Sequence, residues 1–175
     1  SKIAYNLAAA ANEGRADIET LGQALKFSGS IANQTGTSFE ELISVITLLS
    51  NKGLTLTQIG RGIRQTLISL VDPSSQARSA MSAYSIDIEN ANGTMKSFNE
   101  IMKELDVELG NLSQTEKQNI LSKIFPSNAL TVVLESMGSI TTEVEAMTDS
   151  MDELTSQRII DGIAFPVGGK HSRFA

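Results

Sequence analysis

The stretch Thr37–Pro73, TSFEELISVITLLSNKGLTLTQIGRGIRQTLISLVDP, decides the fold class. It reads as two helices joined by a tight turn at Asn51-Lys52-Gly53. Ser38 with Glu41 three residues on has the spacing of a capping box, in which each side chain satisfies the other's orphan backbone N–H. The body that follows, Leu42, Ile43, Val45, Ile46, Leu48 and Leu49, is apolar almost all round, and such a helix is buried on more than one side. Gly53 is placed to take the left-handed conformation that ends a helix. The second helix is expected to begin near Thr57 and sets Ile59, Ile63, Leu67 and Leu70 on one face. It stops at Asp72-Pro73, because the residue before a proline is biased away from helix. The predicted unit is a helical hairpin that its neighbours must cover.

Working outward, residues 2–12 are Ala-rich and helix-prone, and Asp17 is a candidate N-cap for a helix running to about Asn33. Ile18, Leu21, Leu25 and Ala32 line the inner face of that helix. After Pro73, a short amphipathic helix carries Ala77, Ala80, Met81 and Tyr84. The period then changes. Ser85–Glu89 alternates apolar with polar, and Asn92-Gly93 is a strong hairpin signal. An irregular loop with the same turn is the other reading. Ser97 with Glu100 and Ser113 with Glu116 are two further capping boxes, opening helices that carry Ile101, Leu105 and Leu109, then Ile120, Leu121 and Ile124. Gly110 separates the two. Pro126 breaks direction, Ser127 recaps, and Leu130, Val133, Leu134 and Met137 run to Gly138.

Ile140, Val144, Met147, Met151 and Leu154 follow at heptad spacing, with acidic residues outside the seam. The seam covers about two heptads, fewer than the three to four that identify a coiled coil. A helix docked on its own domain fits equally well. From Asp161 to Ala175 periodicity is lost and a flexible tail is expected. The fold class is therefore mainly α: a multi-helix bundle of helical hairpins, with one small β-hairpin-like or loop insertion around residues 85–96. The expected divisions are a helical core over 1–138, an amphipathic or heptad helix over 139–160, and a tail over 161–175.

Composition narrows the function classes. A net charge of −6 argues against a nucleic-acid surface, because phosphate contacts need clustered Lys and Arg. There is no cysteine, so neither a disulfide framework nor a Cys-based metal site can form. The core must be aliphatic with six Met, since only 5% of residues are aromatic. No run approaches the roughly 18 apolar residues of a membrane span, and the first residues lack the basic-then-apolar pattern of a signal peptide. The one histidine, His171, lies in the expected tail, which removes any His-based triad or His-cluster metal site. Glu41, Glu100 and Glu116 are accounted for by capping. Asp149, Asp152 and Glu153 read as a solvated helix face rather than a cation site. The Asp87–Gly93 stretch lacks the ligand spacing and terminal Glu of an EF-hand loop.

Gly60 and Gly62 have no preceding strand and no phosphate-loop Lys, so they do not form a nucleotide loop. Each Gly costs about 1 kcal/mol of helix propensity relative to Ala. Close approach of two helices is the compensation expected. Arg64 reads either as a buried or interface cation pairing with a carboxylate, favoured slightly, or as a solvated helix charge. The candidate packing and interaction residues are thus Gly60, Gly62, Arg64, Ile140, Val144, Met147, Met151 and Leu154. No nucleophile, base and oxyanion site assembles, so no enzyme and no cofactor are expected.

These segments also carry a resemblance. Ile18–Phe27, Gly36–Glu41, Leu48–Gly53, Gly60–Arg64, Asp72-Pro73-Ser74, Asn92–Lys96, Leu112-Ser113 with Glu116-Lys117, and Ile124-Phe125 with Ala129-Leu130 occur in an order and spacing similar to the core of tape-measure proteins, minor tail proteins of long-tailed phages and prophages. The likeness runs to about Thr155 and departs at Pro126-Ser127-Asn128, where the family more often has a Gly followed by a Thr-Arg type pair.

The resemblance implies a helical structural protein of the virion tail lumen, present in host cytoplasm during assembly. It would determine tail length, scaffold the tail tube and be ejected during genome delivery. Implied partners are further copies of itself, tube subunits and assembly chaperones, with contact to the host membrane during ejection and no sequence-specific nucleic acid. As one helix, 175 residues would span only about 260 Å, and the many turns shorten that further. The chain is therefore expected to be a piece of a longer ruler. The alternative is a small prophage-derived regulatory protein that binds tail or tape-measure subunits and interferes with tail assembly.

Overall fold

Ser and Thr residues at the starts of apolar-periodic runs set the helix boundaries. The computed structural model describes residues 18–160, arranged as α1 (Ile18–Gln34), α2 (Phe39–Asn51), α3 (Leu56–Val71), α4 (Ser75–Ala83), α5 (Phe98–Leu109), α6 (Gln114–Ile124), α7 (Ser127–Ser136) and α8 (Ser139–Ile160). The expected helix at 2–12, the Asp17 cap, the tail from Asp161 with His171, and the side chains of Ile18, Ile140 and Arg158 lie outside the described residues.

α2 is the hub. Leu42, Ile43, Val45, Ile46 and Leu49 are buried, as are Ser44 and Thr47 on the same helix. Its neighbours are α1, α3, α5, α7 and α8. Lys52, Gly53, Leu54 and Thr55 connect it to α3. Gly53 has φ +96, and Gly53 N–H donates to Ser50 O (3.0 Å) while Leu54 N–H donates to Leu49 O (3.3 Å). This is the Schellman pattern, which consumes the last orphan carbonyls of α2. The hairpin halves are not each other's main partners. α3 makes its most extensive contacts with α1 and α7, so it is sandwiched between them. α4 packs on α6, and α8 on α2 and α5. The buried side chains of the described helices form one apolar cluster.

Several boundaries differ in detail from expectation. α3 begins at Leu56, and Thr55 and Gln58 form a reciprocal capping box at its start. The boxes at Ser97/Glu100 and Ser113/Glu116 are both present. At Ser38 only half a box forms: Ser38 accepts from Glu41 N–H, but the Glu41 carboxylate points elsewhere. Ser127 is the first residue of α7, not its cap. Pro126 holds the cap position, with no side-chain hydrogen bond. Gly110 follows α5 in the ordinary right-handed conformation, φ −56. Residues 85–96 form no strand. A single antiparallel bridge joins Glu89 to Met95, and Asn90 N–H donates to Thr94 O across the turn (2.7 Å). Gly93 supplies the positive φ of that turn. A two-stranded ribbon is marginal without a supporting face, which accounts for its reduction to one bridge.

Candidate functional site

Gly60 and Gly62 are two residues apart on α3, hence about 200° apart around the helix, and they face opposite neighbours. A Cβ on Gly60 would lie 2.8 Å from Ala24 O and 3.1 Å from Phe27 Cβ, both on α1. A Cβ on Gly62 would overlap Val132 Cγ2 and lie 3.2 Å from Asn128 O, both on α7. The glycine pair therefore lets α3 approach two helices at once.

Between the glycines, Arg61 projects outward with its guanidinium 5.3 Å from the centroid of the Phe27 ring, a cation–π distance. Arg64, one turn on, is exposed rather than buried. It lines a cleft of about 190 Å³ over α1 and α3 with Lys26, Phe27, Ile31 and Ile68. A second cleft of about 430 Å³ lies between α3 and α7, lined by Thr57, Gln58, Arg61, Asn128 and Thr131 among others. Neither cleft pairs a nucleophile with a base. Among the described residues, no three or more His, Cys, Asp or Glu are grouped to hold a metal ion. No described helix is long and apolar enough to cross a membrane.

On α8, Val144, Met147 and Met151 are buried within the bundle, while Leu154 is 45% exposed. Thr148 Oγ1 donates to Ser44 Oγ of α2 at 3.1 Å, and Lys103 of α5 pairs with Glu145. The buried part of the heptad seam is thus occupied by the chain's own α2 and α5.

The start of α5 is held by other parts of the chain. Phe98 N–H donates to Thr37 Oγ1 (3.0 Å), and Asn99 N–H to Glu41 Oε1 (2.8 Å). Glu100 N–H is satisfied locally, donating to Oγ of the N-cap Ser97 (3.3 Å). The Asn99 side chain donates to Thr141 O on α8 (3.0 Å). Burial raises the Glu41 carboxyl above the ordinary value, and the Glu100 and Glu145 charges push the same way. Hydrogen bonds from Asn99 N–H and with Ser97 oppose that shift. Sequence spacing assigned Glu41 to its own helix. Its role as a cross-link depends on where α5 docks and has no local signature. The Lys26–Phe27–Arg61–Arg64 cluster was likewise not anticipated, although the absence of Asp and Glu from α3 was a legible sign of it.

The family of phage-related minor tail proteins matches residues 1–125. The chain belongs to this family. Two curated relatives agree with that placement. The tape measure protein of Pneumococcus phage Dp-1 is 24% identical over 149 residues, which cover 85% of this chain and 13% of the relative. The probable tape measure protein of Escherichia phage P2 is 24% identical over 147 residues, covering 83% of this chain and 17% of the relative. The chain therefore spans less than a fifth of the length of either one. No solved structure matches it.

Proposed function

We propose that this chain is a structural segment of a tail tape-measure protein. In this reading it lies in the tail lumen, associates with tube subunits, assembly chaperones and further copies of itself, and is ejected from the tail during genome delivery. The observation that carries the proposal is the family match over residues 1–125. The architecture agrees with a mechanical role, since α2 is enclosed by five helices. The eight helices of the described residues, folded back on one another, are a poor ruler. Length determination would then belong to the polypeptide as a whole, with this bundle acting as one station along it.

Immunoblotting purified virions with an antibody against residues 37–73 tests the proposal. The expected result is a band in full particles that is lost after DNA ejection. Particles that lack the band would overturn it.

A further inference from the structure

Asn92-Gly93 is the one Asn-Gly pair in the sequence, and both residues are exposed at the tip of the 85–96 hairpin turn. The pair is chemically labile. Attack of the Gly93 backbone nitrogen on Asn92 Cγ closes a five-membered succinimide, and a glycine has no side chain to hinder that closure. The bond formed is Gly93 N–Cγ. The bond broken is Cγ–Nδ2, and the carboxamide nitrogen leaves as ammonia with the proton of Gly93 N–H. Solvent water then opens the ring at either carbonyl. One product is aspartate. The other is isoaspartate, in which the backbone runs through the former side chain. Either product adds one negative charge.

The turn holds both reacting groups. Gly93 N–H donates to Asn90 O (2.9 Å), closing the four-residue turn from Asn90 to Gly93. The nitrogen must shed that proton to attack. Asn92 Oδ1 accepts from Thr94 N–H (3.1 Å) and from Thr94 Oγ1 (2.7 Å), an Asx turn that fixes the carboxamide. Thr94 Oγ1 in turn accepts from Asn90 Nδ2 (3.2 Å), so its hydroxyl links the two asparagines. Below the turn, the Glu89–Met95 bridge keeps the arms in register.

We propose that Asn92 is a deamidation site gated by this turn: the closed turn restrains succinimide formation, and opening of the turn releases it. Exposed loop tips open locally ahead of the core, so conversion records opening. The record is one-way. Isoaspartate lengthens the backbone inside the turn and disturbs the register that places Lys96. The Lys96 ammonium donates to Asp87 O (2.8 Å) and pairs with Glu104 of α5 (3.1 Å), and so fastens the hairpin to that helix. The new charge also joins Asp87 and Glu89, both exposed on the same hairpin. This chemistry does not depend on where the chain lies in the tail.

Peptide mapping by mass spectrometry tests the gate on the full chain, incubated at mildly alkaline pH in buffer or in guanidinium chloride. Trypsin releases Ser79–Lys96, within which fragment ions distinguish Asn92 from Asn90. In denaturant Asn92 is expected to convert well ahead of Asn90, which Ala91 follows. In buffer its conversion should be about tenfold slower or more, the protection given by a local opening free energy of about 1.4 kcal/mol. Thr94→Val, with helicity checked by circular dichroism, removes the linking hydroxyl. It should convert several-fold faster than wild type in buffer and at the wild-type rate in denaturant. Thr94→Ser restores the hydroxyl and should return the rate in buffer to that of wild type.

An Asn92 that does not convert in denaturant would overturn the site. Conversion in buffer as fast as in denaturant, or faster, would overturn the gate. A Thr94→Val variant that converts at the wild-type rate in buffer would overturn the part assigned to the Thr94 hydroxyl.

Discussion

Glu41 Oε1 accepts the Asn99 N–H at 2.8 Å and so ties the first turn of α2 to the first turn of α5, 58 residues away in sequence. A partly buried carboxylate satisfies an orphan donor of another helix and sits at the positive end of that helix.

Replacing Glu41 separates its charge from its hydrogen bond. Glu41→Ala leaves Asn99 N–H without its partner and is expected to cost about 1–2 kcal/mol. Glu41→Gln keeps an acceptor oxygen and removes the buried charge. The folded-state pKa of Glu41 is raised above its ordinary 4.5. Above 4.5, the native chain therefore holds this proton more tightly than the unfolded chain does. The stability contributed by protonated Glu41 is fully present below that value and is lost as pH rises through the folded pKa. Urea unfolding at pH 4 and pH 7 should accordingly shift in favour of Gln over wild type at the higher pH. A difference that stays constant with pH would contradict this.

Gly60 and Gly62 should respond differently to the same substitution. Gly→Ala inside a helix ordinarily stabilises by about 1 kcal/mol. Here both changes should destabilise, by about 1–3 kcal/mol, because the added methyl has no space. At Gly62 the nearest obstacle is Val132 Cγ2, so Val132→Ala should relieve part of the strain of Gly62→Ala, with Val132 Cβ remaining 2.9 Å away. At Gly60 the obstacles are the Ala24 backbone and Phe27 Cβ, which no truncation removes. Double-mutant cycles in denaturant would show coupling for the first pair.

Thr47 is fully buried in α2, and among the described residues its hydroxyl has no hydrogen-bond partner. Thr47→Val keeps the shape and removes the unsatisfied oxygen. An increase in stability of about 1 kcal/mol is expected in chemical denaturation.

Met151 and Leu154 both lie on the heptad seam, but only Met151 is buried. Met151→Ala should cost about 2–4 kcal/mol, independent of protein concentration, because its packing is internal. Leu154→Ala should change the unfolding free energy by no more than about 0.5 kcal/mol. Equal, concentration-dependent losses at both positions would instead mark an intermolecular coiled coil.

The helical architecture could be read without a structure because its signals are local. Apolar periodicity, the Ser97/Glu100 and Ser113/Glu116 boxes, the turn at Gly53 and the stop at Asp72-Pro73 each act within a few residues, where chain connectivity brings the partners together. The order of segments was enough to place the chain among the tail proteins. Tertiary structure alone decided the rest. Glu41 has the spacing to cap α2, but α5 docks where Asn99 N–H competes for the same oxygen. The heptad seam is compatible with a partner helix in cis or in trans, and the position of α2 and α5 beneath Val144–Met151 selects cis. Gly60 and Gly62 announced a close approach but not its direction. Their position between Ala24 and Val132 shows that α3 is squeezed from both sides. In each case the deciding interaction joins residues far apart in sequence, and whether they meet depends on how every other helix packs.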